Sequence, residues 1–213
     1  MQKLHFLHIG KTGGTAIKHA LSQLQSNSVE IILHSHQTSI KDIPEGENFI
    51  LSVRNPIERF ISAFYSRKRK GRPKYNNEWN SVEAQVFTKF ETPNDLAEAL
   101  ASVNDTPEKK LAITAMQQIE HFKTMEKWYI DINLFEERKT DLYHVCHQEN
   151  LFSDFEELKI KLKFPHITLP EDDINAHRNP KDINKYISCK GEKALKSWYK
   201  KDLDFISHLK KNF

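Results

Sequence analysis

Three short segments near the start of the 213-residue chain carry side chains whose type and spacing could do chemistry together. The first is His8-Ile9-Gly10-Lys11-Thr12-Gly13-Gly14-Thr15-Ala16, which joins a strand-like run to a helix-like one. Such a junction gathers unpaired backbone N–H groups and the positive end of a helix dipole at one point. Gly13 and Gly14 allow the backbone to approach a phosphate closely and to take conformations that other residues resist. Lys11 adds a mobile positive charge, and Thr12 and Thr15 add hydroxyl donors. The expected chemistry is anion binding; the bland alternative is a glycine-rich turn that only connects two elements. It is not a Walker A loop, in which the lysine follows the second glycine; here Lys11 precedes the pair.

The second segment is Val53 to Tyr65. Arg54 falls at the carboxyl end of a strand, where open α/β sheets bind ligands, and its planar guanidinium suits phosphate. Asn55-Pro56 is a helix start, with a capping side chain followed by proline at the first helical position. At 100° per residue Ile57, Phe60, Ile61 and Phe64 share one sector, which leaves Ser62 and Arg59 on the other side. There a serine can serve a ligand without disturbing the core; a capped amphipathic helix with a surface serine is the plain alternative. Two separate anion sites suit a nucleotide with phosphate on both sides of its ribose better than a nucleoside triphosphate. The third segment is His34-Ser35-His36, after another strand. Histidine is the usual general base near neutral pH, and alternate residues of an extended segment point to one side. Solvated loop histidines are the competing reading.

Lys-Thr-Gly-Gly-Thr after a strand and led by His-Ile resembles the 5′-phosphosulfate loop of carbohydrate sulfotransferases that use 3′-phosphoadenosine-5′-phosphosulfate (PAPS). That family usually has proline where this chain has Gly10, which loosens the loop entry and removes no donor. Arg-x-Pro-x-x-Arg-x-x-Ser is similar to the same family's 3′-phosphate strand and helix. The likeness implies that Lys11, Thr12, Gly13, Gly14, Thr15 and Ala16 hold the 5′ end and that Arg54 and Ser62 bind the 3′-phosphate. Arg59 either joins them or braces the helix. His-x-His looks like the matching segment of the uronyl, heparan-sulfate 2-O-sulfotransferase-like branch. It implies His36 as base, His34 as a support or acceptor contact, Lys11 as the group that stabilises the leaving phosphate, and no metal. Glu149 is an alternative base, His8 a structural partner of the loop. Asn175, His177 and Arg178 match a C-terminal cofactor loop only loosely.

The elements that must hold these residues can be read from periodicity. Strands are expected over Lys3–Ile9, Ile31–Leu33, Phe49–Val53 and Leu142–Val145. Helices are expected over 15–25, from Asn55-Pro56, across 81–122 with breaks at Thr92-Pro93 and Thr106-Pro107, over Leu151–Leu162, and at the end. Strands alternating with helices point to an α/β fold with a parallel sheet flanked by helices, kinase-like in its P-loop plan, with helical middle and C-terminal segments. Length places all 213 residues in a single domain. Hydrophobic residues make up 38% and charged ones 29%, the balance of a water-soluble globule. No apolar run is long enough to span a membrane, and two cysteines make neither a disulfide framework nor a metal cluster. A strand directly after Met1 leaves no room for a signal peptide, so a cytoplasmic protein is expected. The net charge of +3 leans mildly toward anions. The run Arg67, Lys68, Arg69, Lys70, Arg72, Lys74 either holds an anionic polymer or is a solvated loop; no nucleic-acid partner is expected. The leading expectation is sulfuryl transfer from PAPS to a hydroxyl, of a saccharide by the family likeness. The alternatives are a P-loop-type small-molecule kinase and a non-catalytic polyanion-binding protein.

Overall fold

In the computed structural model, which describes residues 1–180 and 182–213, β1 (Gln2–Leu7) is the strand about which a four-stranded sheet is built. β2 (Val29–Leu33) pairs on one side of it and β3 (Asn48–Val53) on the other. β4 (Leu142–His147) pairs outside β3, giving the order β2-β1-β3-β4 with every pairing parallel. Parallel sheets need cover on both faces, and the strand sequences show it. Leu4, Phe6 and Ile50 turn to one core, where Ile17, Ala20 and Leu21 of α1 (Gly14–Leu21) meet Phe155, Leu158 and Leu162 of α8 (Leu151–Leu162). Leu7, Phe49, Leu51 and Val53 turn to a second core. There they meet Trp128 and Tyr129 of α6 (Glu126–Tyr129), Phe135 of α7 (Ile132–Glu137), and Phe205 and Leu209 of α10 (Lys200–Asn212). The α/β class with a parallel sheet and flanking helices is what the sequence led us to expect.

The chain forms two compact units. The sheet and its cover make the first, from residues 1–54, 125–178 and 205–213. The second, residues 55–124 and 179–204, is helical. It contains α2 (Pro56–Lys68), α3 (Ser81–Lys89), α4 (Pro93–Leu100), α5 (Pro107–Gln118) and α9 (Cys189–Trp198). Its starts follow cap chemistry: Asn55 Oδ1 accepts from the amides of Ile57 and Glu58, Asn80 from Glu83, Thr92 from Asp95 and Thr106 from Lys109. Its core joins Phe60, Phe64, Phe87, Met116 and Phe122 to Leu195 and Tyr199.

Three local expectations are corrected. α1 stops at Leu21 rather than running to residue 25, because the next amides tighten into three-residue turns, Gln23 N to Ala20 O and Leu24 N to Leu21 O. α2 has no outward face at Arg59 and Ser62; both are buried, along with Ser66 and Arg67, because helices cover it on more than the apolar stripe. Nor is the basic run a free cationic loop. Arg67 is buried in a two-pronged ion pair with Glu83, at 2.5 and 2.7 Å. Lys68 pairs with Glu91 and Lys70 with Glu78, while Arg69 bonds Asn179 and Arg72 bonds Asn76. Most of that charge is committed within the second unit.

Candidate active site

The glycine-rich loop grows from the carboxyl end of β1. Lys11 has φ +69° and Gly13 φ +84°, left-handed conformations that turn the chain sharply. For a lysine that conformation costs about 1–3 kcal/mol and persists only where the surroundings enforce it. Gly13 is the N-cap of α1 and offers no side chain to the first-turn amides, so those donors and the dipole behind them face whatever anion enters. Thr12 departs from expectation. Fully buried, its hydroxyl donates to Ile9 O at 2.8 Å and lies 2.7 Å from Ser52 Oγ. It fastens the loop to β3 instead of reaching a ligand, leaving only its backbone for that purpose. Thr15 is half-buried and Ala16 buried in the first turn of α1. Gly14 is required by space: a Cβ there would stand 2.3 Å from His8 Cδ2. Gly13 is backed by Leu151 and Gln148, at a corner pinned by Asp154, whose Oδ2 accepts from His147 N at 2.6 Å.

Arg54 follows the last residue of β3 directly, and its Nη1 donates to Lys11 O in a long hydrogen bond of 3.4 Å. The guanidinium predicted from the second motif therefore abuts the loop predicted from the first. Ser62, in the second unit, receives Asn179 Nδ2 on its carbonyl oxygen at 3.2 Å and its hydroxyl at 3.4 Å. Arg59 is a brace, fully buried, with Nη1 donating to Lys123 O at 2.7 Å.

The two histidines after β2 do not share a side. His34 Nε2 lies 2.7 Å from Nδ1 of His5, inside β1. His36 reaches past the end of β1, and its Nδ1 donates to His8 O at 2.8 Å, with the two rings 4.0 Å apart. The chain turns at His36 and Gln37. A donor at Nδ1 leaves the lone pair of neutral His36 on Nε2. Burial holds the His36 pKa below the ordinary 6.5 despite the bond to His8, and the charges of Lys18, Lys127 and Lys11 act the same way. The ring is therefore neutral and able to accept a proton at neutral pH, within electrostatic reach of Lys11. The sheet's other face fixes its backbone: Trp128 Nε1 donates to His36 O at 3.2 Å, and Lys127 Nζ to Gln37 Oε1 at 3.2 Å.

An anion loop, an arginine touching it and a neutral histidine beside it fit transfer of an anionic group. A model described as the sulfotransferase family matches residues 1–205. The chain belongs to the sulfotransferase family. No curated protein and no solved structure matches it.

For a sulfotransferase, the remaining sequence candidates come from later segments of the chain. Glu149 is exposed in the turn after β4. Asn175 bonds Asp172, and Arg178 bonds Asp173 and Glu171 O, within their own loop; His177 stands between them with φ +51°. Among the described residues, no helix of the sulfotransferase is long and apolar enough to cross a membrane. Sequence reasoning missed Ser52, Trp128 and Lys127. Ser52 had a signal, a lone hydroxyl in an otherwise apolar strand. Trp128 and Lys127 had none, because they sit about 90 residues from the histidine segment they hold.

Proposed function

We propose that this sulfotransferase takes its sulfuryl group from PAPS and gives it to a hydroxyl of a carbohydrate, in the manner of the uronyl 2-O branch. The observation that carries the donor assignment is the contact of Arg54 with the Lys11 carbonyl. It sets a guanidinium beside the loop whose amides suit a phosphate, within one nucleotide's span. Ser62 enters through the sequence motif alone, and the saccharide acceptor through the likeness of the His-x-His segment. When bound, PAPS supplies an activated sulfuryl group on its 5′-phosphate and a second phosphate on the ribose.

The first-turn amides of α1 and the Lys11 ammonium hold the 5′ end and meet the charge that gathers on the departing phosphate oxygen. Arg54 binds the 3′-phosphate and, through Lys11 O, keeps the loop in its shape. His36 Nε2 accepts the proton of the acceptor hydroxyl as its oxygen bonds to sulfur. Trp128 and His8 hold that ring in place from either end of its turn.

Thermal shift with adenosine 3′,5′-bisphosphate, Mg·ATP and a heparin-like polymer tests this. The bisphosphate is expected to raise Tm. Lys11→Ala or Arg54→Ala is expected to weaken its binding about 10- to 100-fold, the scale of a lost charged hydrogen bond. A preference for Mg·ATP, or a response to the polymer alone, would overturn the reading. His36→Ala is expected to bind the bisphosphate normally and to lose about 10²–10⁴ in turnover. In the pH–rate profile of the unaltered enzyme, activity should rise with pH through an apparent pKa below 6.5.

A further inference from the structure

The turn that carries His36 is tied to α6 by two consecutive residues on each side. Trp128 Nε1 donates to His36 O and Lys127 Nζ to Gln37 Oε1, both at 3.2 Å. The Lys127 ammonium also stands over the Trp128 ring, 5.3 Å from its centroid, and Trp128 is itself buried. A lysine head held by such neighbours has given up much of its freedom before any ligand arrives. Lys127 is half-buried and Gln37 is exposed, so this charge is held at the surface beside the His36 turn.

Cations act on His36 from three elements. Lys11 comes from the loop after β1, Lys18 from α1 and Lys127 from α6, and each disfavours the imidazolium. Asp42, in the turn after β2, acts on His34. Lys11 belongs to the donor loop, and Lys18 Nζ donates to His34 O at 3.0 Å, which fastens the histidine segment to α1. Lys127 bonds a neutral amide at the end of an exposed side chain. A carboxylate or sulfate makes a stronger, charge-assisted bond than an amide oxygen and replaces it readily. A proton taken up by His36 meets three like charges, and an anion seated against Lys127 relieves one of them.

We propose that Lys127 is a specificity-determining residue, whose ammonium binds a carboxylate or sulfate group on the same saccharide that offers its hydroxyl to His36. This rests on the reading of His36 and of the acceptor given above. The bound anion screens Lys127 from the ring, so His36 Nε2 holds the hydroxyl's proton more firmly when the acceptor is charged. A neutral sugar gains neither effect. The site thus selects anionic saccharides twice, in binding and in turnover.

Three oligosaccharides test this with the intact protein saturated with adenosine 3′,5′-bisphosphate. They are a hexasaccharide of alternating glucuronate and N-acetylglucosamine, its carboxyl-reduced neutral form, and that neutral form carrying sulfate esters. Calorimetry gives the affinities, and imidazole NMR gives the His36 titration. One or both charged hexasaccharides are expected to bind more tightly than the neutral one, and the two arms tell carboxylate from sulfate. Lys127→Gln should weaken charged binding about tenfold, the loss of one charged hydrogen bond. Lys127→Arg, which keeps the charge, should stay within about threefold of the unaltered protein. Lys3→Gln, the same charge change at the opposite end of β1, should leave binding unchanged. Without acceptor, Lys127→Gln should bring the His36 pKa up toward 6.5, because a cation that lowers it is gone. In the unaltered protein a charged hexasaccharide should move it the same way relative to the neutral one. Equal affinity of the unaltered protein and Lys127→Gln for the charged forms, or an equal loss with Lys3→Gln, would overturn the proposal. So would a His36 titration blind to the acceptor's charge, or failure of all three oligosaccharides to bind. Absence of bisphosphate binding in the unaltered protein sinks the donor assignment instead, and oligosaccharide binding is then read without it.

Discussion

At the scale of single residues, the site is held by groups whose roles depend on a few tenths of an ångström. Gly14 is the sharpest case. A methyl there would collide with the His8 ring at 2.3 Å, and that ring stands against His36. Gly14→Ala must therefore push His8 aside and disturb His36, although it touches neither Lys11 nor His36 itself. The expected outcome is a stability loss of about 1–3 kcal/mol, as for an overpacked core, with a drop in turnover larger than the drop in bisphosphate affinity. Denaturant melts and kinetics on one preparation check both. The placement of the glycine pair, Lys11 and Arg54 was legible in the sequence because each lies within a few residues of a strand end. The direction of a hydroxyl was not. Thr12 looked like a ligand donor, and only the position of Ser52, forty residues on, shows that it turns inward. The expected shared side of His34 and His36 failed for a similar reason: it requires an extended chain, and the chain turns from His36 on, so that one ring meets His5 and the other His8.

At the scale of elements, most starts and stops could be read, because caps and prolines act within a few residues. The three helices of the middle segment begin where Asn80, Thr92-Pro93 and Thr106-Pro107 place them. Face assignments were harder, since periodicity tells which side of a helix is apolar but not how many neighbours surround it. α2 shows the cost of that gap, with Arg59, Ser62 and Arg67 all buried. The Arg67–Glu83 pair, under one-tenth exposed on both sides, gives a direct test. Glu83→Gln leaves a buried guanidinium without its counter-charge and should cost about 3–5 kcal/mol. Replacing both partners, Arg67→Met with Glu83→Leu, removes the stranded charge and should recover most of the loss. The shortfall should be about 1 kcal/mol, from the reciprocal cap contact that Glu83 makes to Asn80 N. Urea melts of the single and double variants separate the two effects. A double variant no better than the single one would mean that the pair is not what stabilises this helix.

At the scale of the whole molecule, the chain is threaded so that neither core is completed by a continuous stretch. The last 35 residues, 179–213, supply Leu195 and Tyr199 to the core of the helical unit, and Phe205, Ile206 and Leu209 to one core of the sheet unit. A sequence reader sees amphipathic helices at the end and cannot tell that one tail serves two cores, because that depends on where distant helices lie. Each of these five side chains is buried, and burying one is worth about 1.5–3 kcal/mol. Deleting them together removes about 8–15 kcal/mol by the same measure, as much as the entire net stability of a typical domain, about 5–15 kcal/mol. A chain ending at Arg178 is therefore expected to lack a cooperative thermal transition in both units, although it retains Lys11, Arg54 and His36. A chain ending at Leu209 keeps all five side chains and loses only exposed residues. Its Tm should stay within a few degrees of the full chain, and it should still bind the bisphosphate. Calorimetry on the two truncations makes the comparison, and a folded, ligand-binding protein ending at Arg178 would show that the tail is dispensable to both cores.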